Sequence, residues 1–456
     1  MLAPDRTPNP HAYEIQYYYQ NIWATLTDAA AGKVEIYNEN FFKSLDDVIL
    51  SYEILVNGEK VDEGKMDIAQ YNIQPQAKKT VTVEAIAKAL TNPDYKGKEV
   101  LANIEFIPLV MPLGGAAILN RMAGNYLATP VIAHNQFELT PYAFPTVEEI
   151  TAQPVVDKKA KEKPEAVTLD DRAVYAVLSA NGVKVTFDKG TGYVAYIDVD
   201  GTPMITDESE LTPDFWRAAT DNDFGANFQK RFAAWQHPRL EKKSFDIKQD
   251  GVNYVVTADY DLRHLEASLK LTYVMTPQGK LVVTQALTVN PEAKEKPQLM
   301  RYGMTVQMPK EFNQIEYYGK GPHENYVDRA NSQNLGIWKQ SVSTQYWDYV
   351  RPQESGTKTG VRYWAITNQD GKGLKFEGTE PLECQALNYT EDDLQPSRDK
   401  AQWHSGDLIE RPFTDLHIAS RSMGIGCVNS WGAWPLPQYQ MPYKDYTYTY
   451  IISPVK

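Results

Sequence analysis

Val183–Gly201, VKVTFDKGTGYVAYIDVDG, decides the fold class. Val183, Val185 and Phe187 alternate with polar residues, DKGTG turns the chain, and Tyr193–Val199 leads back to Asp200-Gly201. A period of two puts one face of a strand in a core and the other in water. Asp-Gly supplies the positive φ angles of a two-residue hairpin turn. The stretch predicts an antiparallel hairpin, and the same grammar recurs along most of the chain.

Downstream, strands are predicted near Tyr254–Tyr260, Glu266–Met275, Lys280–Asn290, Met300–Met308, Gln314–Tyr318, Val361–Thr367, Leu374–Glu377 and Tyr446–Ile452, with Gly225–Trp235 as the one helical candidate. Roughly 290 residues of such pattern exceed an immunoglobulin-sized unit and predict one large sandwich. Upstream, residues 151–168 combine prolines with a dense charge run and few large apolar residues, the composition of a linker. Before it, Val34, Ile36 and Tyr37, Leu50–Val56 running up to Asn57-Gly58, Thr80–Glu84, Val100–Ile107 and Asn135–Leu139 predict a first β-sandwich over 23–150. Residues 1–22 form an entry segment in which Pro10–Asn21 reads as a short helix with proline in its first turn. Tyr13, Tyr17 and Ile22 are expected on an apolar face that calls for a partner.

The 456 residues carry a net charge of −13, which argues against nucleic acid or an anionic membrane surface as partner. Cys384 and Cys427 have no CxxC spacing, so neither a structural zinc site nor a disulfide scaffold is expected; both read as buried small residues. No apolar run has transmembrane length, and MLAPDRTPNP has neither a basic n-region nor an apolar h-region. A soluble chain is expected, its compartment open between cytoplasm and periplasm. The 29 Tyr, 14 Phe and 9 Trp suit strands and suit equally the stacking of aromatic faces on sugars.

Four polar stretches interrupt the β-pattern: PDFWRAATDNDFG (213–225), YYGKGPHENYVDR (317–329), VRPQESG (350–356) and SWGAWPLP (430–437). Asp221-Asn222-Asp223 offers oxygen ligands for a divalent ion but lacks the remaining EF-hand positions, so a turn with Asx caps is favoured. His323 and Glu324 could act as acid and base, yet neighbours in an extended strand point to opposite sides. Loop-fixing contacts are the expected role of this pair, of Asp328 and Arg329, and of Arg351 and Glu354, for which a salt bridge is expected. Trp431 and Trp434 lie in a Gly/Pro-rich loop and are candidates for a binding platform. No Ser-His-Asp set, phosphate loop or selected carboxylate pair appears. The residues alone therefore give a two-domain β-protein with sugar binding as one option.

In order and spacing, FWRAATDNDFG, YYGKGPHENYVDR, YVRPQESG and NSWGAWPLPQY, with DRTPNPHAYEIQYYYQNI near the start, closely resemble the C-terminal part of the large bacterial β-galactosidases of glycoside hydrolase family 2. The resemblance covers essentially the whole chain. It implies an all-β fold: an immunoglobulin-like β-sandwich over 23–150, then a large antiparallel supersandwich related to galactose mutarotases over 169–456. It implies retaining hydrolysis of terminal β-D-galactosides, with both catalytic glutamates and the Mg²⁺ ligands on a barrel that this chain lacks. No catalytic residue and no metal ligand are then expected here; Mg²⁺ and Na⁺ belong to the complete enzyme, an oligomer completed by a barrel-bearing partner chain or N-terminal part. Carried over to this sequence, Trp431 would form the platform for the aglycone sugar, and the Asp221–Gly225 loop, with Asn222, Asp223 and Gly225, would edge the site. Two other functions compete: a free-standing carbohydrate-binding module, and a mutarotase-like aldose epimerase using His323, His404 or His417 with Glu324 or Glu354.

Overall fold

The computed structural model describes residues 2–109, 131–153, 166–426, 428–429 and 432–456. They form two compact units, Met1–Ala143 with Arg329–Ile337, and Phe144–Asp328 with Trp338–Lys456.

The first unit opens with helix α1 (Pro10–Tyr18), followed by β1 (Ile22–Asp28), β2 (Lys33–Asn38), β3 (Val48–Val56), β4 (Glu59–Asp67), β5 (Lys78–Thr82), α2 (Glu84–Thr91), β6 (Val100–Pro108) and β7 (Ala133–Thr140). Two sheets, β1-β2-β5 and β4-β3-β6-β7, close on a core containing Val34, Ile36, Leu50, Ile54, Ile104 and Phe106. Asn57 (φ 47°) and Gly58 (φ 84°) make the expected β3–β4 turn. Helix α1 stops three residues short of the predicted Asn21. Ile22 is therefore not on a helix face: it starts β1 and is buried in the core. Tyr17 packs edge-on against Trp23 at 5.6 Å, and the rings left in water are Tyr18 and Tyr19. Helix α2 escaped the strand reading of Thr80–Glu84, although Ala85, Ile86 and Ala89 recur at helical spacing and are buried. The segment Arg329–Ile337 completes this unit from far along the sequence. Gln136 donates to Leu335 O and accepts from Leu335 N, both at 2.8 Å, and Glu14 accepts from the backbone of Asn331 and Ser332.

In the second unit, β8 (Thr168–Asp171), β9 (Tyr175–Ala180), β10 (Val183–Asp188), β11 (Val194–Val199) and β12 (Thr202–Pro203) form one sheet in reverse order. The hairpin that opened the reading is β10–β11, with Val183 opposite Val199 and Val185 opposite Ile197. Asp200 (φ 48°) and Gly201 (φ 83°) then turn the chain into β12. A far larger sheet is built from β13 (Thr212–Asp214), β14 (Glu241–Asp250), β15 (Asn253–Leu262), β16 (Ala267–Met275), β17 (Leu281–Val289), β18 (Arg301–Pro309), β19 (Gln314–Gly321), β20 (Asn334–Ser341), β21 (Lys358–Thr367), β22 (Gly373–Leu387), β23 (Phe413–Ser422) and β24 (Tyr446–Val455). Its main path is β13-β18-β23-β22-β24-β17-β16-β15-β14, and β21 and β19 continue from β22. The fold is all-β and antiparallel, with one core running from Leu178 and Phe187 to Trp364 and Tyr450.

Among the strands that escaped the sequence reading, two did so for different reasons. Strand β14, EKKSFDIKQD, ends the sheet path and its residues are largely solvated, so it carries charge where a buried strand would carry aliphatics. Strand β23, FTDLHIASRS, buries Asp415 and His417, which breaks its apolar alternation. The helical candidate Gly225–Trp235 resolves into short turns, Asp221–Ala226, Phe228–Arg231 and Ala233–Trp235. Of the expected linker, 154–165 lies outside the described residues. Its flanks are fixed: Gln153 bonds Asp250 O and Val252 N, and Val167 is buried before β8 begins.

Candidate functional site

The first polar stretch is organised by an arginine. Arg217, with no exposed surface, donates to Asp223 Oδ2 at 2.6 Å, to Met423 O at 3.1 Å and to Gly424 O at 3.0 Å. Thr220 caps the DNDFGA turn: Asp223 N donates to its hydroxyl, and Thr220 N donates back to Asp223 Oδ2 at 2.7 Å. Asp223, expected at the substrate edge, is therefore only 1 % exposed, and its carboxylate is spent on Arg217 and Thr220. Asp221-Asn222-Asp223 is the start of a capped helical turn, with Asp221 and Asp223 in its first, electropositive end.

Asp221, Asn222 and Gly225 form the more exposed rim of this turn. Asp221 Oδ1 is shared by Arg351 at 2.6 Å and Lys400 at 2.7 Å, and its N–H donates to Gln353. Burial alone would raise the Asp221 carboxyl; Lys400 and Arg351 outweigh it and hold it below the usual carboxylate range. The Arg351 guanidinium also covers the Phe224 ring, 4.7 Å from its centroid. Arg351 thus bridges to the DNDFG turn and not to Glu354, correcting the expected salt bridge within VRPQESG. Asn222 is half-buried and donates to Ile425 O at 3.3 Å. Gly432 (φ 86°) lies so close to Gly225 that a Cβ there would sit 2.7 Å from Gly225 O, so only glycine fits. Trp431 and Cys427 lie outside the described residues. Trp434, paired with Trp431 as a platform candidate, instead packs edge-on against Phe228 and Phe232.

YYGKGPHENYVDR joins the same cluster. A Cβ on Gly321 would fall 2.2 Å from Tyr317 Oη and 2.8 Å from the Trp338 ring, which explains the glycine before Pro322. Glu324 is buried and accepts from Tyr349 Oη at 2.5 Å and Gly356 N at 2.7 Å. Asp328 accepts from Ile425 N at 3.1 Å and Gly426 N at 2.9 Å, fixing the chain ahead of the Trp431 loop. Its burial raises its pKa against those hydrogen bonds. Arg329 falls in the segment counted with the first unit. His323 faces the Trp347 ring, and burial, followed by Lys358, lowers its pKa to about 4. A base whose folded pKa lies below its unfolded value of 6.5 gives stability that is complete above pH 6.5 and lost as pH falls toward 4. Thermal unfolding between pH 7 and pH 4 should therefore show a downward slope in Tm that His323→Gln flattens.

Behind the rim lies a centre that motif reading missed. Arg301, 2 % exposed, points one nitrogen at Asp214 Oδ2 (3.0 Å) and Glu391 Oε1 (2.7 Å) and the other at Glu354 Oε1 (3.4 Å). His417 places Nδ1 2.8 Å from Asp214 and Nε2 3.2 Å from Asp415. Burial and Arg301 push His417 down, but Asp415 and Asp214 prevail and lift it to about 10. Burial likewise opposes ionisation of Asp214, yet Arg301 and His417 hold it at about 2. Glu391 is raised well above the usual range, by burial first and then by Asp214. Glu354 accepts further from Thr357 Oγ1 and Gln385 Nε2, both at 2.8 Å. An arginine opening an otherwise apolar strand, MRYGMTV, was the available signal.

Asp214, Glu391 and His417 are the one group among the described residues spaced to hold a metal ion. The Arg301 guanidinium already occupies their common ground, so the donor set does not fit a resident cation. His417 and Glu354, weighed as an epimerase pair, do meet, but around this same guanidinium and in burial of 5 % and 2 % exposure. His404 is exposed beside Asp407.

Known proteins match the chain along both units. The family described as beta-galactosidase, domain 4, matches residues 34–108, and the family described as beta galactosidase small chain matches residues 179–452. The β-galactosidase of Priestia megaterium is 28% identical over all of this chain and 40% of its own length. That of Halalkalibacterium halodurans is 27% identical over 95% of the chain and 39% of its own length. The chain thus spans about 40% of the length of the curated relatives it matches. Among solved structures, a galactose 1-epimerase from Lactobacillus acidophilus covers 63% of the chain with 8% identity and a TM-score of 0.35. No helix among the described residues is long and apolar enough to cross a membrane. With all four polar stretches inside a match that covers residues 179–452, more than half of the sequence, the chain belongs to the β-galactosidase small-chain family.

Proposed function

We propose that this chain is the non-barrel portion of a retaining β-galactosidase and forms the aglycone-side wall of an active site whose two carboxylates come from a barrel outside it. The observation that carries this is the commitment of the acids in the loop cluster. A retaining pair needs two available carboxyl groups about 5–5.5 Å apart across the glycosidic bond. Here Asp214, Asp223, Asp328, Glu324 and Glu354 are each held by a cation or by backbone and hydroxyl donors. They build a stiff wall and supply no nucleophile. The rim residues Asn222 and Gly225, with Trp431, would meet the leaving sugar. Mg²⁺ and Na⁺ would be held by barrel residues, and the complete enzyme would assemble as an oligomer.

The test is direct. Purified chain should leave o-nitrophenyl β-D-galactoside intact, and turnover should appear when a barrel-bearing portion is added. Hydrolysis by the chain alone would overturn the reading. In the complete enzyme, Trp431→Ala should weaken binding of a disaccharide by about 1–3 kcal/mol, the usual worth of a stacking aromatic, seen as a raised KM for lactose.

A further inference from the structure

One carboxylate geometry occurs twice along YYGKGPHENYVDR and its continuation. Asp328 takes the N–H of Ile425 on Oδ1 at 3.1 Å and that of Gly426 on Oδ2 at 2.9 Å. Three residues on, the N–H groups of Asn331 and Ser332 are taken by Glu14, on Oε1 at 3.0 Å and Oε2 at 2.9 Å. Two successive N–H groups converging on one carboxylate make a compact anion seat, and hydrogen bonds to an ionised acceptor are the stronger ones. The second seat is built by a turn, in which Gln333 N donates to Ala330 O at 3.3 Å.

Glu14 has a counterpart. Gln136 grips both the N–H and the C=O of Leu335 at 2.8 Å, so residues 331–335 are held at both ends through main-chain atoms. The two holders are fixed to each other. Tyr17 Oη, on α1, accepts from Asn135 Nδ2 at 3.3 Å, and Gln20 Oε1, just past α1, accepts from His134 N at 2.9 Å. Asn135 Oδ1 in turn accepts from Ala24 N of β1 at 2.9 Å. His134, Asn135 and Gln136 are consecutive on β7. Helix α1 and strand β7 thus form one clamp, within the first unit, on the chain that leaves Asp328.

Arg217 holds the carbonyls of Met423 and Gly424. The N–H groups of Ile425 and Gly426, nearer in sequence to Trp431, answer to Asp328. From Asp328 to the first clamped N–H is at most about 10 Å of extended chain, too short a tether to absorb a displacement of the clamped residues. We infer that Glu14 and Gln136 are positioning residues for the leaving-sugar wall: by clamping 331–335 they set where Asp328 holds Ile425 and Gly426, and so where the Trp431 loop begins. What that wall does rests on the function proposed above.

Amide exchange of the full chain reads the clamp without any reaction. In Glu14→Ala/Gln136→Ala the amides of Ile425 and Gly426 should exchange about tenfold faster than in wild type, roughly the loss of one charge-assisted hydrogen bond. Glu14→Gln, which keeps one carbonyl acceptor, should fall between. Ile86→Ala, which opens the first unit's core without touching the clamp, should leave both amides at the wild-type rate. In the enzyme assembled with a barrel-bearing portion, the double variant should raise KM for lactose about fivefold and hold kcat within about twofold, the mark of lost binding shared by ground and transition states. Wild-type exchange at Ile425 and Gly426 in the double variant, equal acceleration by Ile86→Ala, or an unchanged KM for lactose overturns the inference and leaves the proposed function standing. An assembled wild-type enzyme that hydrolyses nothing, while exchange responds as expected, removes the proposed function, and the clamp's role toward the sugar falls with it.

Discussion

Arg301→Met is expected to lower the stability of the larger unit by about 3–5 kcal/mol at pH 7, the usual cost of removing one partner from a buried charge cluster. Against a total of about 5–15 kcal/mol for a domain, that is enough to leave a substantial unfolded fraction. The cause is specific: Asp214 and Glu391 would lose the guanidinium and keep His417 as a nearby cation, and Glu354 would keep the more distant Arg217. The pH dependence gives a second reading of the same event. In the wild type, Asp214 is held at about 2, and its share of stability is present above its unfolded pKa and lost as pH falls from about 4 toward 2. His417, lifted from 6.5 to about 10, gives stability that is complete below pH 6.5 and fades as pH rises toward 10. Without Arg301, Asp214 would take up a proton more readily than in the wild type, and Glu391, already raised there by burial and Asp214, more readily still, so acid would favour the folded variant over its pH 7 state. Urea titrations at pH 7 and pH 5 should show the deficit shrinking at the lower pH. A deficit that is the same at both would mean that packing of the arginine stem, not charge, was lost.

The second large effect is expected at Arg217. Arg217→Met takes the partner cation from the Asp223 carboxylate in a site of 1 % exposure and frees the carbonyls of Met423 and Gly424. A loss of about 3–5 kcal/mol follows from the unpaired charge. Adding Asp223→Asn, which can still receive a hydrogen bond while removing the charge, should recover a good part of it in a double-mutant cycle. The consequence reaches the rim, because Arg217 ties the DNDFG turn to the chain just ahead of Trp431. Protease sensitivity at 219–226 should rise in the single variant and fall back in the double. Equal sensitivity in wild type and single variant would show that Thr220 capping alone holds the turn.

Much of the fold was legible because antiparallel strands with one buried face write their period into the sequence. Val183–Val199 and Leu50–Val56 show it, each ending at a turn whose two residues both take positive φ. Two of the strands that were missed have that code overwritten, by charge on solvated β14 and by the buried Asp415 and His417 of β23. The four polar stretches were visible as interruptions, and family resemblance gave them a common purpose. Their chemistry was not visible, because it depends on partners distant in the chain. Asp214 meets His417 across 203 positions, Asp328 meets Gly426 across 98, and Asp221 meets Arg351 across 130.

By itself, the sequence determined an all-β chain with two cores and four loop stretches reserved from strand duty, since alternation, Asn-Gly and Asp-Gly turns and clustered Gly/Pro are local signals. Only the tertiary structure decided which acids are spent and which surfaces are left over. It buried Asp223 against Arg217, turned Arg351 toward Asp221, filled the Asp214, Glu391 and His417 cluster with Arg301 and left Phe41 and Phe42 in water. A side chain's pairing and burial are set by what the whole chain brings to it.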